Sequence, residues 1–158
     1  MSYVAWKLLH LAAVVIFLGN ITVGVFWAMR AHQTRDLRLI ASTFDGIIRS
    51  DRWFTIPGVI GIVVGGIGAA VAGHLSILKT GWILWSILLF VLSGLAFGVL
   101  GPLQRKILAL TNTADDSSEV WETYDTMYRK WSIWGAFALA MPAVAFVIMV
   151  TKPSLPGF

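Results

Sequence analysis

Apolar residues dominate four stretches of the chain, about Tyr3 to Met29, Phe54 to Leu78, Trp82 to Leu100 and Trp131 to Val150, and polar residues fill the intervals. A bilayer core of roughly 30 Å takes about 20 helical residues per crossing, a length that each stretch meets. Backbone groups in lipid must be satisfied internally, and the stretches are too long for barrel strands, so they predict four helices packed on one another. The two long connections are also patterned. Leu37, Ile40, Phe44, Ile47 and Ile48 recur at helical spacing among charged neighbours, as do Val120, Trp121, Tyr124, Tyr128 and Trp131. Both read as amphipathic helices on or under the membrane. In the second, Ser118 is the expected N-cap, with Glu119 and Glu122 in the first turn, so that the helix runs on into the fourth span and Thr111 to Ser117 forms the loop. Pro57 falls in the first turn of the second span, where proline is tolerated, and Pro142 is expected to kink the fourth. The predicted fold is all-α: a four-transmembrane-helix bundle with amphipathic cytoplasmic connecting helices, forming a single integral membrane domain over residues 1–158.

Composition strengthens this picture. Of 158 residues, 58% are hydrophobic and only 13% charged, which excludes an ordinary water-soluble domain. The absence of cysteine excludes disulfides, thiolate metal sites, cysteine nucleophiles and iron–sulfur clusters. Seven of the eight tryptophans fall near predicted span ends, where the amphipathic ring favours the headgroup level; Trp121 is the exception. The run from about Leu8 to Met29 is too long for a signal-peptide core and no small-residue cleavage site follows it, so it reads as a retained first span.

The net charge of +4 does not point to nucleic acid, because the basic residues cluster between apolar runs. Nine of the twelve lie in the first and third connections: Arg30, Arg35, Arg38, Arg49, Arg52, Arg105, Lys106, Arg129 and Lys130. The positive-inside rule makes that face cytoplasmic and sends both termini and the Lys79 turn outside. Gly61, Gly65, Ala69 and Gly73 repeat every four residues on the second span, and Gly94 with Gly98 repeats the spacing on the third. Both faces are expected to pack closely against neighbours; the alternative is that glycine makes room for a flat cofactor.

An ionisable side chain inside a span is costly, and so it is a functional candidate. His10 lies about two turns into the first span, near a stripe that also holds Phe17, Asn20 and Gly24. His74 lies near the end of the second span, and antiparallel neighbours would place both histidines at similar depth. Neutral imidazoles ligate haem iron, copper or zinc, and bundle interiors commonly hold such sites. Each histidine also has a plainer reading, His10 as a hydrogen-bonded packing residue and His74 as an interfacial one. His32 lies in the basic connection and is expected to be solvated. The five methionines form no cluster of the kind a thioether copper site needs. Asp51 marks the start of the second span, where a helix cap is the favoured role and substrate or proton binding the other. Phosphate loops, zinc-protease motifs, nucleophile elbows and paired catalytic carboxylates are absent from the sequence.

Several segments carry a resemblance. Trp6-Lys7-Leu8-Leu9-His10, Gly19-Asn20, the run Arg49-Ser50-Asp51-Arg52-Trp53-Phe54-Thr55-Ile56-Pro57-Gly58, and Gly81-Trp82 resemble the bacterial integral membrane family catalogued as domain of unknown function 2269. That family is distantly similar to HemJ-type protoporphyrinogen oxidases and to copper resistance D membrane domains, which also place Leu-His near the start of their first span. The resemblance implies a haem-binding role for His10 and a bacterial inner membrane location. The lysine-bearing motif of the HemJ type has no intramembrane counterpart here.

Two functions follow as expectations. One is an inner-membrane b-type haem protein with an electron-transfer or oxidoreductase role, using haem b on His10, with His74 as a second ligand and a quinone or another redox partner. The other is a cofactor-free membrane protein acting in assembly, partner binding or small-solute passage. The lipid bilayer is a partner in both.

Overall fold

The computed structural model describes residues 2–113 and 115–157. The first helix, α1, runs from Tyr3 to Thr34, started by the Ser2 hydroxyl accepting from the Ala5 amide and stopped by Arg35 in the left-handed conformation. Asp36 caps the next helix at once, its carboxylate accepting from the Arg38 and Leu39 amides. The reversal therefore needs only Arg35 and Asp36. Helix α2 (Leu37–Ser50) buries Ile40, Ala41, Phe44 and Ile47 and turns its polar side outward.

The amphipathic helix and the second span are not separate elements. Leu37–Ala72 is continuous, passing through a π-helical turn at Asp51–Thr55 into α3 (Ile56–Ala72). Proline explains the turn. Pro57 has no amide hydrogen, and in a regular helix its ring would press on the Trp53 carbonyl; the wider turn, in which the Ile56 amide reaches back to the Asp51 carbonyl, relieves this. The second span is also shorter than expected. Helix α3 ends at Ala72, and Gly73, His74 and Leu75 close it, with the His74 amide donating to the Val71 carbonyl and the Leu75 amide to that of Ala70. This pattern satisfies two helix-end carbonyls and requires a left-handed residue, here His74 at φ 54°.

Helix α4 spans Gly81–Thr113, well past the expected end at Leu100 and through Pro102. Helix α5 spans Ser118–Thr151 without interruption, as its pattern predicts, with Ser117 rather than Ser118 as N-cap. Within the expected loop from Thr111 to Ser117, Thr111 to Thr113 are helical, and Ala114 lies outside the described residues. The described residues contain no strand, and four helices are long and apolar enough to cross a membrane. The all-α, four-helix reading of the sequence thus stands.

The four long helices alternate in direction. Helix α3 packs on α1, α5 packs on α4, and α2 joins the two hairpins by packing on α4. At 32 to 36 residues each helix is about 48–54 Å long, longer than a bilayer core, and the excess extends toward the end that carries the basic residues. That basic end holds the main core: Ala31, Ile40, Phe44, Leu100, Ile107, Tyr124 and Trp131 bury one another there. At the opposite end, near both termini, α3 touches only α1 and large apolar side chains such as Val4, Leu8, Ile67 and Val71 face outward. In lipid such exposure is ordinary.

The α1–α3 contact is made through glycine. A Cβ on Gly61 would lie 2.8 Å from the Ala13 methyl, and one on Gly65 would lie 2.7 Å from the His10 backbone nitrogen. The small-residue face of the second span therefore admits the neighbouring backbone. The Gly94 and Gly98 face differs from expectation: neither has a neighbour within 4 Å of an added Cβ. Helix α4 instead meets α5 through Ser86 and Ser93, whose hydroxyls donate to the Ala145 and Ala138 carbonyls at 3.3 and 2.7 Å.

Candidate functional site

His10 is partly buried where α1 crosses the glycine face of α3. Its Nδ1 lies 2.8 Å from the Ile62 carbonyl oxygen. A carbonyl oxygen only accepts, so Nδ1 carries the proton and donates, while Nε2 keeps its lone pair. Gly66 sits against the ring, where an added Cβ would come within 3.1 Å of Nδ1 and 3.2 Å of Cε1. Beside this contact, one turn earlier on α1, Trp6 joins Val64, Ile67, Gly68, Val71 and Ala72 around a lipid-facing groove of about 510 Å³.

His74 stands elsewhere. It is exposed and occupies the left-handed closing position of α3, beyond Ala72, which is itself six residues and roughly 9 Å along the axis from Gly66. Two imidazoles on one metal ion need ligating nitrogens about 4 Å apart, twice a typical metal–nitrogen bond. The similar depth expected from antiparallel spans does not arise, because His10 packs two turns short of the helix end. The structure does not bring the two histidines together. Among the described residues, no group of three His, Asp or Glu side chains gathers to hold a metal ion.

His32 departs further from expectation. Instead of being solvated, its ring stacks on Tyr128 at 3.9 Å and 7°, and its Nδ1 lies 3.2 Å from the Tyr124 hydroxyl. Continuation of α5 past the membrane surface places these tyrosines beside the end of α1. Arg35 adds a two-pronged ion pair to Asp125, at 2.6 and 2.9 Å, and lies over the Trp121 ring. The Asp125 hydrogen bond holds the Arg35 guanidinium above its ordinary pKa.

The most polar interior site is one that the sequence pattern placed at the membrane edge. Asp51 follows α2 as its C-terminal cap residue, but its carboxylate does not serve as the N-cap of the second span and accepts from side chains instead. Its Oδ1 accepts from the Asn20 amide at 3.2 Å and the Thr55 hydroxyl at 2.8 Å, and its Oδ2 accepts from the Gln104 amide at 3.2 Å. Asn20 also donates to the Thr55 hydroxyl at 2.9 Å. Asn20 lies seven residues, roughly 10 Å, inward of Trp27, so the cluster sits below the headgroup level. Gln104 had no place in the sequence reading because the third span was expected to stop before it.

With this geometry in view, comparison with known proteins is informative on one point. A family model described as predicted integral membrane protein (DUF2269) matches residues 4–153. The chain belongs to this family. No curated protein and no solved structure matches it. Within this DUF2269 chain, the resembling segments map onto both interior sites: Leu9-His10 onto the α1–α3 crossing, and Asn20 with the run from Asp51 to Pro57 onto the carboxylate cluster and its π-turn.

Proposed function

We propose that the chain is a b-type haem protein of the bacterial plasma membrane, with His10 as axial ligand, in an electron-transfer or oxidoreductase role toward a quinone or another redox partner. One observation carries this reading: the Nδ1 hydrogen bond of His10 to the Ile62 carbonyl. Metal-ligating histidines are typically anchored this way, with the second ring nitrogen fixed by a carbonyl and the first left free to bind. The donor set suits haem better than a bare metal ion, since a haem iron takes a single protein histidine in many proteins. Bound there, haem would supply one-electron chemistry. The chain's own residues would orient the imidazole through Ile62 and Gly66 and exclude water with the apolar groove beside Trp6. We assign the basic end to the cytoplasm and both termini to the outer side, on the distribution of nine of the twelve basic residues.

A second reading, the cofactor-free membrane protein, is favoured by the glycine face, which the α1 backbone fills without need of a cofactor. Spectra separate the two. After expression with ample haem, the reduced protein in mild detergent is expected to show sharp α and Soret bands, and His10→Ala to lose them while keeping its helical content. His74→Ala is expected to leave the spectrum unchanged, given its separation from His10. Full haem retention in His10→Ala overturns the ligand assignment, and a featureless parent spectrum overturns the haem reading.

A further inference from the structure

Asp51 is a carboxylate among neutral donors. Its three partners are two amides and a hydroxyl, and neither ion pair among the described residues includes it. The nearest cations along its own helix are engaged or outward: Arg49 pairs with Asp45 at 2.8 Å, and Arg52 is exposed. The neighbouring elements contribute no charge either. Asn20 and Gly24 from α1, Gln104 from α4, and Trp131 and Gly135 from α5 line a cavity of about 20 Å³ beside Asp51, which is its only titratable lining residue.

Trp131, which also lines this cavity, supplies an independent observation. Trp131 is 4% exposed, and its indole nitrogen is buried without a hydrogen-bond partner. Indole N–H only donates, so a matching occupant must accept. A bare cation cannot accept a hydrogen bond, and an organic solute exceeds the space. A volume of about 20 Å³ holds one water molecule, which can accept from Trp131 and share hydrogen bonds with the oxygen-bearing wall.

We propose that this cavity is a one-water site linking the Trp131 indole to Asp51, and that Asp51 is a proton-exchanging carboxyl group within the membrane. In the exchange the carboxyl O–H bond breaks as an O–H bond forms on the water, and the hydronium so formed gives up one proton to bulk solvent, leaving carboxylate and water; protonation is the reverse, and no electron moves. In the carboxylate state Asn20, Thr55 and Gln104 donate to the two carboxyl oxygens and hold them in place. The site does not depend on haem and stands or falls separately from His10.

Infrared difference spectroscopy of the full chain in lipid bilayers tests it, comparing high and low pH in H₂O and D₂O. The expected result is a protonated-carboxyl band that grows as pH falls, moves in D₂O, shifts when aspartate carries a ¹³C-labelled carboxyl, and is missing in Asp51→Asn. Trp131→Phe, which removes the donor, should move the band. The isotope label separates aspartate from glutamate. Asp51→Glu, which keeps a carboxyl group where the asparagine variant fails to fold, should carry the band out of the labelled set, and a band that still shifts with the aspartate label in that variant overturns the assignment to Asp51. A band that neither titrates nor moves in D₂O, or the absence of any labelled band, overturns proton exchange. A titrating band indifferent to Trp131→Phe overturns the water link.

Discussion

The two ends of the bundle are held together by different means. At the basic end, helices stand far enough apart to admit large side chains between them, and Phe44, Tyr124 and Trp131 fill the space, with Phe44 and Trp131 in edge contact at 5.3 Å. Near the termini α1 and α3 meet almost backbone to backbone, and large side chains point away into lipid. The solvent explains the contrast. Lipid offers no hydrophobic gain for burying a leucine, so close van der Waals approach must hold the helices there, whereas the part of the basic end that lies past the membrane surface, around Tyr124, can gain from burying aromatic surface.

This contrast can be broken by truncating one end or crowding the other. Phe44→Ala removes a wholly buried ring and is expected to destabilise the protein by about 4 kcal/mol. Equilibrium unfolding in mixed micelles measures the loss, and hydrogen exchange should place the loosening in α2 and the first turns of α5. Gly65→Val forces side-chain atoms against the His10 backbone, which cannot swing aside. A cost of about 3 kcal/mol is expected, with exchange rising in α1 and α3 near the termini and unchanged at the basic end. Should both variants loosen the whole bundle equally, the division into two regimes is wrong. The smallest effect belongs to Ile67→Ala, a residue 51% exposed, expected below about 0.5 kcal/mol; a loss comparable to that of Phe44→Ala would show that a covering surface had been overlooked.

The four apolar runs and the basic clusters were legible in the sequence because lipid imposes one length and one composition on every crossing. Their joins were not. A pattern of hydropathy marks where polar residues begin, but helix α4 continues through Gly101 and Pro102 to Thr113, since nothing at the surface requires a helix to stop. That continuation brings Gln104 to Asp51, and the fused α2–α3 helix brings Asp51 to Asn20, so the carboxylate cluster rests on helices that run past their expected ends. His10 was legible as an intramembrane imidazole. Its carbonyl partner was not, because backbone acceptors leave no trace in residue identity.

The π-helical turn at Asp51–Thr55 also bears on how this chain can vary in length. A π turn is what one added residue leaves in an otherwise regular helix, and each residue turns an α-helix by about 100°. Deleting a residue from this segment would swing the glycine face by that angle away from α1 while α2 kept its seat on α4. A substitution at an outward position such as Trp53 leaves the register intact, but a change in residue count shifts everything beyond it. The segment is constrained by number as well as by identity.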